Sequence, residues 1–134
     1  MKKTIFNLFV LILTFSMVGC KKDQISDKPI SERILGKWTF VSQATETLEP
    51  PNPPKVKTKP GETGDYIDFR QDGIIYYVIN SSDERQDDYK LNGAEIDIDG
   101  GTYTIIELTE TSFIMRSIEQ EDDITYTTTI TLRK

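Results

Sequence analysis

From Gly36 onward apolar and polar residues alternate with a period of two rather than 3.6, the mark of half-buried strands. A first strand, about Gly36 to Ala44, sets Gly36, Trp38, Phe40 and Ser42 on one face. Lys37, Thr39, Val41 and Gln43 fall on the other. A second, Asp65 to Arg70, alternates Ile67 and Phe69 with Tyr66, Asp68 and Arg70. Asp72-Gly73 follows, an Asp-Gly pair that favours a tight hairpin because both turn residues tolerate positive φ. The third strand, Ile74 to Asn80, is apolar on both faces, so alternation does not say which set turns inward. After a polar turn at Ser81 to Asp83 the fourth runs about Arg85 to Leu91, and Asn92-Gly93 is a second hairpin signal. Glu95 to Ile98 alternates cleanly, Asp99-Gly100-Gly101 turns the chain, and Thr102 to Leu108 makes the sixth strand. A Thr-Glu-Thr turn leads to Ser112 to Ile118, and the acidic stretch Glu119 to Asp123 leads to Ile124 to Arg133. In that last strand Ile124, Tyr126, Ile130 and Leu132 face one way, with Thr125, Thr127, Thr129 and Thr131 opposite.

These eight strands are joined mostly by turns too short for a parallel crossover, which needs a dozen residues or more. The expected fold class is all-β, an eight-stranded antiparallel up-and-down barrel, because closure removes the exposed edges of a sheet. An open β-sandwich is the competing architecture. Ser31 to Leu35 is expected to form a short helical turn ahead of the first strand, with Ser31 as its N-cap. One segment breaks the rhythm. Thr45 to Gly64 contains Pro50-Pro51-Asn52-Pro53-Pro54 and Pro60-Gly61, and proline at this density favours extended polyproline II over a central strand. A long loop of this kind is expected to be functional or mobile.

The first residues follow a different rule. Lys2 and Lys3 precede a mostly apolar run from Ile5 to Val18, too short for a membrane-spanning helix and suited to an export signal. The run ends at Met17-Val18-Gly19-Cys20, which looks like a lipobox with Met in place of the usual Leu. Residues 1–19 are therefore expected to be a lipoprotein signal peptide, cleaved between Gly19 and Cys20, with Cys20 carrying the lipid. The chain has one cysteine, which can form no internal disulfide, and lipidation gives that thiol a purpose in an oxidising compartment. Stable anchoring takes at least two acyl chains, and the lipoprotein resemblance implies two or three, palmitate among them. Lys21, rather than Asp, after the anchor favours the outer membrane of a bacterial envelope. Residues 20–30 then read as a lipidated polar tether, and residues 31–134 as the barrel domain.

Composition narrows the function classes. The whole chain carries −6; without Lys2 and Lys3 it has 14 basic groups against 22 acidic ones, a balance of −8. That argues against nucleic acid as a partner, since its recognition needs a basic surface. There is no histidine, so the commonest general base and zinc ligand are missing, and Cys20 is committed to lipid. No catalytic residue, metal site or cofactor is expected, and the chain is not read as an enzyme. Asp97 and Asp99 alternate outward beside a turn, which a solvated strand explains. Glu95-x-Asp97-x-Asp99-Gly100 resembles the start of an EF-hand loop, but Ile106 stands where the bidentate acidic ligand belongs. Two acidic clusters, Asp83-Glu84 with Asp87-Asp88 and Glu119 with Glu121 to Asp123, are expected at one end of the barrel. Lys55, Lys57 and Lys59 alternate within the proline-rich segment.

Gly36-Lys37-Trp38 opening the first strand resembles the Gly-x-Trp signature of lipocalin-like (calycin-type) barrels. Ile34 to Trp38, Tyr66 to Phe69 ahead of Asp72-Gly73, and Ile105 to Leu108 before a Thr-rich turn resemble small bacterial lipocalin-like lipoproteins. The likeness spans about residues 31–133. It implies that Gly36 and Trp38 close one barrel end with a basic side chain, Arg133 here, over the indole. It also implies that Thr45 to Gly64 forms a lid over the open end. The bulky inward set of Trp38, Phe40, Phe69, Tyr89, Tyr103, Phe113 and Tyr126 suggests a largely filled barrel with a shallow pocket. Two functions follow as expectations: a membrane-anchored binding module for a small apolar or amphipathic ligand, or an envelope protein–protein interaction or inhibitor module with a filled barrel.

Overall fold

The computed structural model describes residues 27–134. The segment expected to be a signal peptide, Gly19 and Cys20 included, and the expected tether up to residue 26 lie outside the described residues. The chain enters through a one-turn helix, α1 (Ile30–Arg33), and continues into nine strands among the described residues. They are β1 (Gly36–Leu48), β2 (Lys55–Pro60), β3 (Tyr66–Phe69), β4 (Ile74–Val78) and β5 (Arg85–Asn92). β6 (Glu95–Ile98), β7 (Gly101–Leu108), β8 (Ser112–Glu121) and β9 (Ile124–Arg133) complete the sheet. All pairings are antiparallel between neighbours, and β1 also pairs with β9, so β1 and β3 to β9 close into the expected eight-stranded up-and-down barrel.

Both expected hairpins form, but only their glycines take positive φ, and Asn92 stays in β5 opposite Glu95 so that Gly93-Ala94 makes the turn. Gly73 (φ 82) and Gly93 (φ 63) occupy the left-handed region that tight turns require, and the Asp72 carboxylate accepts from the Ile74 amide at 3.1 Å. Two strands bend at bulges, with register shifts between Phe40 and Ser42 and between Ile105 and Glu107. Each bulge swaps the faces of the residues beyond it, so Trp38 and Phe40 share the inner surface with Gln43 and Thr45.

The proline-rich segment departs from expectation. Instead of a loose lid, β1 continues to Leu48 and pairs residue by residue with β2, from Ser42 opposite Pro60 to Thr47 opposite Lys55. The prolines Pro50, Pro51, Pro53 and Pro54 stay in the tip, outside the ladder, and Pro60 sits at the strand's last position, where a missing amide is tolerated. β2 is a fully exposed wall extension rather than a cover. The helical turn also starts earlier than expected. Pro29, not Ser31, is the N-cap, and its carbonyl accepts from the amides of Glu32 (3.0 Å) and Arg33 (3.2 Å).

The two ends of the barrel differ. At the end where β1 begins, Ile34, Trp38, Phe40, Phe69, Phe113 and Leu132 are almost fully buried and fill the interior. A chain of rings crosses it: Trp38 meets Phe113 edge-on at 5.5 Å, Phe113 meets Phe69 at 5.6 Å, and Phe69 meets Tyr89 at 5.4 Å. The two edge-on pairs, Trp38–Phe113 and Phe69–Tyr89, add about 0.5–1.5 kcal/mol each beyond their area burial, and the Phe69–Phe113 contact between them is tilted. The Trp38 indole N–H donates to the Ile34 carbonyl at 2.7 Å, and the Arg33 guanidinium donates to the Leu108 carbonyl, tying α1 across the plug. The core and its packed neighbours all lie between Ile30 and Leu132, so residues 27–134 close their own core.

The cation over the tryptophan is not Arg133. Lys134 Nζ sits 4.3 Å from the Trp38 ring centroid and donates to the Leu35 carbonyl at 3.3 Å. Strand parity explains the correction: Leu132 points inward, so Arg133, opposite Ser112 and Thr39, points out, and Lys134 returns to the inner side.

Candidate ligand-binding cup

Strand direction fixes the other end. β1 rises from the plug, so the turns at residues 79–84, 99–100 and 122–123 and the β1–β2 tip all lie at the far mouth. Both acidic clusters are therefore at one end, as the strand count implied. Here the plug's chain of packed rings ends and the interior opens into a cavity of about 490 Å³. Its apolar lining is Ile67, Ile75, Ile79, Ile98, Met115 and Ile130, with the rings of Tyr77 and Tyr103. Gln43, Asp87, Asp99 and Glu119 supply its polar lining. The interior is thus half filled: Tyr89 packs into the plug, Tyr103 borders the cup, and Tyr126 lies above it on the inner side of β9.

Alternation explains how carboxylates reach this surface. Asp87 lies opposite core residue Ile75 and in phase with Tyr89 and Leu91. Glu119 continues the inward series Phe113, Met115 and Ser117 on β8. The Tyr77 hydroxyl donates to the Asp87 carboxylate at 2.8 Å, which raises the phenol's pKa, and burial and the Asp99 charge push the same way. Burial, then the Glu119 charge, also raises the Tyr103 phenol above its ordinary value, so both phenols stay neutral donors at physiological pH.

The mouth is held in shape by a buried carboxylate. Asp65, 1% exposed, lies where β2 hands over to β3. Its oxygens accept from the amides of Glu62 (2.9 Å), Asn80 (2.9 Å) and Ser81 (3.1 Å). Asn80 and Ser81 both have positive φ, which turns their amides into a small anion nest. Those bonds lower the Asp65 pKa against the opposing effect of burial, the Glu62 amide contributing most. Ser81 also donates to Glu62 at 2.6 Å.

The other sequence-derived candidates fall elsewhere. Gly36 and Trp38 belong to the plug and have a structural role, while Arg133 lies outside on β9. Asp97 accepts from the Thr102 hydroxyl (2.6 Å) and the Asn92 side-chain amide (3.2 Å), the work of a hairpin rather than a cation loop. Lys55, Lys57 and Lys59 pair opposite Thr47, Thr45 and Gln43 and so share the inner side of the wall; Lys55 and Lys57 line a separate recess of about 380 Å³. A larger recess, about 620 Å³, runs along the outside of the barrel past Gln86, Asp88 and Lys90 and is predominantly polar. No helix among the described residues is long and apolar enough to cross a membrane.

No family model matches the sequence, and no curated protein matches it. Among solved structures, a deswapped triple mutant of bovine odorant binding protein is similar at 17% identity, over 74% of this chain and 72% of that one, with a TM-score of 0.45.

Proposed function

We propose that this chain is a lipid-anchored bacterial envelope protein that binds a small amphipathic molecule in the barrel cup. The observation that carries the binding reading is the cavity itself: an apolar floor and walls opening through a polar rim, with room for a ligand of modest size. The interaction-module alternative drew on a filled interior, and a half-open one favours it less. The anchor reading rests on the sequence alone: Cys20 at the end of the apolar run, and no other thiol. Lys21 supports an outer-membrane destination.

Native mass spectrometry of the protein purified from its own membrane tests the binding reading. A co-purified small molecule that disappears when Met115 is replaced by Trp, which fills the cup, is the expected result. A bare mass, with no change in melting temperature across a library of small amphiphiles, would overturn it. For the anchor, Cys20→Ser should abolish acyl-glycerol labelling and membrane retention; persistent labelling would refute the assignment.

A further inference from the structure

We infer that the cup selects an organic cation, a compact apolar body carrying one protonated amine; this rests on the ligand-binding reading above and specifies its ligand. The residues lining the cup include three carboxylates, Asp87, Asp99 and Glu119, and no lysine or arginine. The carboxylates are not gathered at one point. Asp87 holds the Tyr77 hydroxyl at 2.8 Å on one side, and Asp99 acts on the same phenol. Glu119 stands beside Tyr103 across the mouth. Among the described residues no group of acidic side chains could hold a metal ion, so the rim lacks the convergence that a divalent cation demands.

A diffuse negative rim above an apolar floor suits a different guest. The body of the ligand would displace water from Ile67, Ile75, Ile98, Met115 and Ile130. The ammonium would remain at the rim, partly hydrated, between carboxylates and against the faces of Tyr77 and Tyr103. Keeping the charge at the rim avoids the desolvation that a fully buried ammonium incurs. Two aromatic faces add cation–π attraction. The lysines of β2 do not contradict this: Lys55 and Lys57 border their own recess above the cup, and Lys59 acts on Asp65.

Three water-soluble probes on one carbon frame test the inference: phenylbutylamine, phenylbutanol and phenylbutyrate. Each is titrated at neutral pH into residues 27–134, with the Met115 and Ile130 methyl resonances as reporters. The amine is expected to bind about tenfold more tightly than the alcohol, with the acid weakest. In the Asp99→Asn/Glu119→Gln variant the amine should fall toward the alcohol's affinity. Both side chains are exposed, and asparagine tolerates the left-handed turn of Asp99, so the spectrum should show an intact fold. An alcohol that matches the amine, an acid that binds best, or an amine advantage that survives the double substitution would overturn the charge rule while leaving the cup a binding site. Three probes that move no cup resonance in a folded protein would overturn the binding reading and this inference together.

Discussion

Gly61 lies where the β2 wall turns down toward β3, and the chain there runs so close to β1 that no side chain fits. A Cβ built on Gly61 would stand 2.1 Å from the Phe40 carbonyl oxygen and 2.9 Å from Phe40 Cδ1. Relief needs more than an ångström of backbone movement, because Phe40 is 2% exposed and its ring is locked in the core. Two hydrogen bonds hold this crossing: Gly61 N–H to the Val41 carbonyl at 2.8 Å, and Phe40 N–H to the Asp65 carbonyl at 3.0 Å. Gly61→Ala should strain or break both. Overpacking costs about 1–3 kcal/mol, and each weakened bond about 1 kcal/mol, giving roughly 3–5 kcal/mol in all. That is a large part of the roughly 5–15 kcal/mol that holds a domain together. At about 4–8 °C per kcal/mol for a domain of this size, the midpoint should fall by roughly 12–40 °C. Urea unfolding followed by the fluorescence of Trp38, the chain's one tryptophan, with calorimetry for the midpoint, measures it. Gly64→Ala is the control. Its Cβ would meet nothing within 4 Å, so only the strain of φ +97 is at stake, about 1–2 kcal/mol. If Gly61→Ala costs no more than Gly64→Ala, the close approach and the anchoring of β2 deduced from it are wrong.

Phe113→Ala removes the ring at the centre of the plug, touching both Trp38 and Phe69, and should cost about 3–5 kcal/mol in urea unfolding; a loss below 1 kcal/mol would mean the plug is not the core. Lys134→Ala should cost about 0.5–1.5 kcal/mol, through the lost cation–π contact and the bond to Leu35, with Arg133→Ala within about 0.5 kcal/mol of wild type. The reverse ranking would restore Arg133 over the indole. Because the folded state lowers the Asp65 pKa, its contribution is present above the unfolded value of about 3.9 and is lost as pH falls through the folded one. The urea midpoint should therefore drop on acidification below about pH 4, and Asp65→Asn should be weaker at neutral pH with a flatter acid limb. An unchanged acid limb in that variant would place the sensitivity in another carboxylate.

Much of the barrel is written locally. The Asp72-Gly73 and Asn92-Gly93 turns and the alternation in β1, β6 and β9 require only neighbouring residues to be read, and they were enough for the strand count and antiparallel closure. β2 was not legible because Lys55 to Pro60 has no buried face; it forms by pairing with a β1 that runs on past Ala44, a long-range event with little local trace. The bulges leave only a faint local trace: Phe40-Val41 and Ile105-Ile106 carry adjacent apolar residues that cannot both face inward on a regular strand. Assigning the tryptophan's cation to Arg133 missed by one residue, which on a strand means the opposite face. The cup's rim was half visible. Asp87 and Glu119 are in phase with buried neighbours, yet their place in acidic runs made them look like solvated turns. The cup itself depends on where the plug's chain of packed rings ends, and that emerges only when strands of unequal length are assembled.

The closure of β1 on β9 has a consequence for how the molecule comes into being. Synthesis makes β1 early, and that edge of β1 waits unpaired until β9, the last strand, has been made. In the interval the nascent sheet carries Trp38 and Phe40 on an unclosed inner face beside a free row of amides and carbonyls, the kind of edge that recruits other chains. Loop-closure entropy must be met before the two strands reward each other, so folding should be slow and nearly all-or-none. A chain shortened by one strand would therefore be less a smaller barrel than an open sheet, with β1 and β8 both left as templates for aggregation.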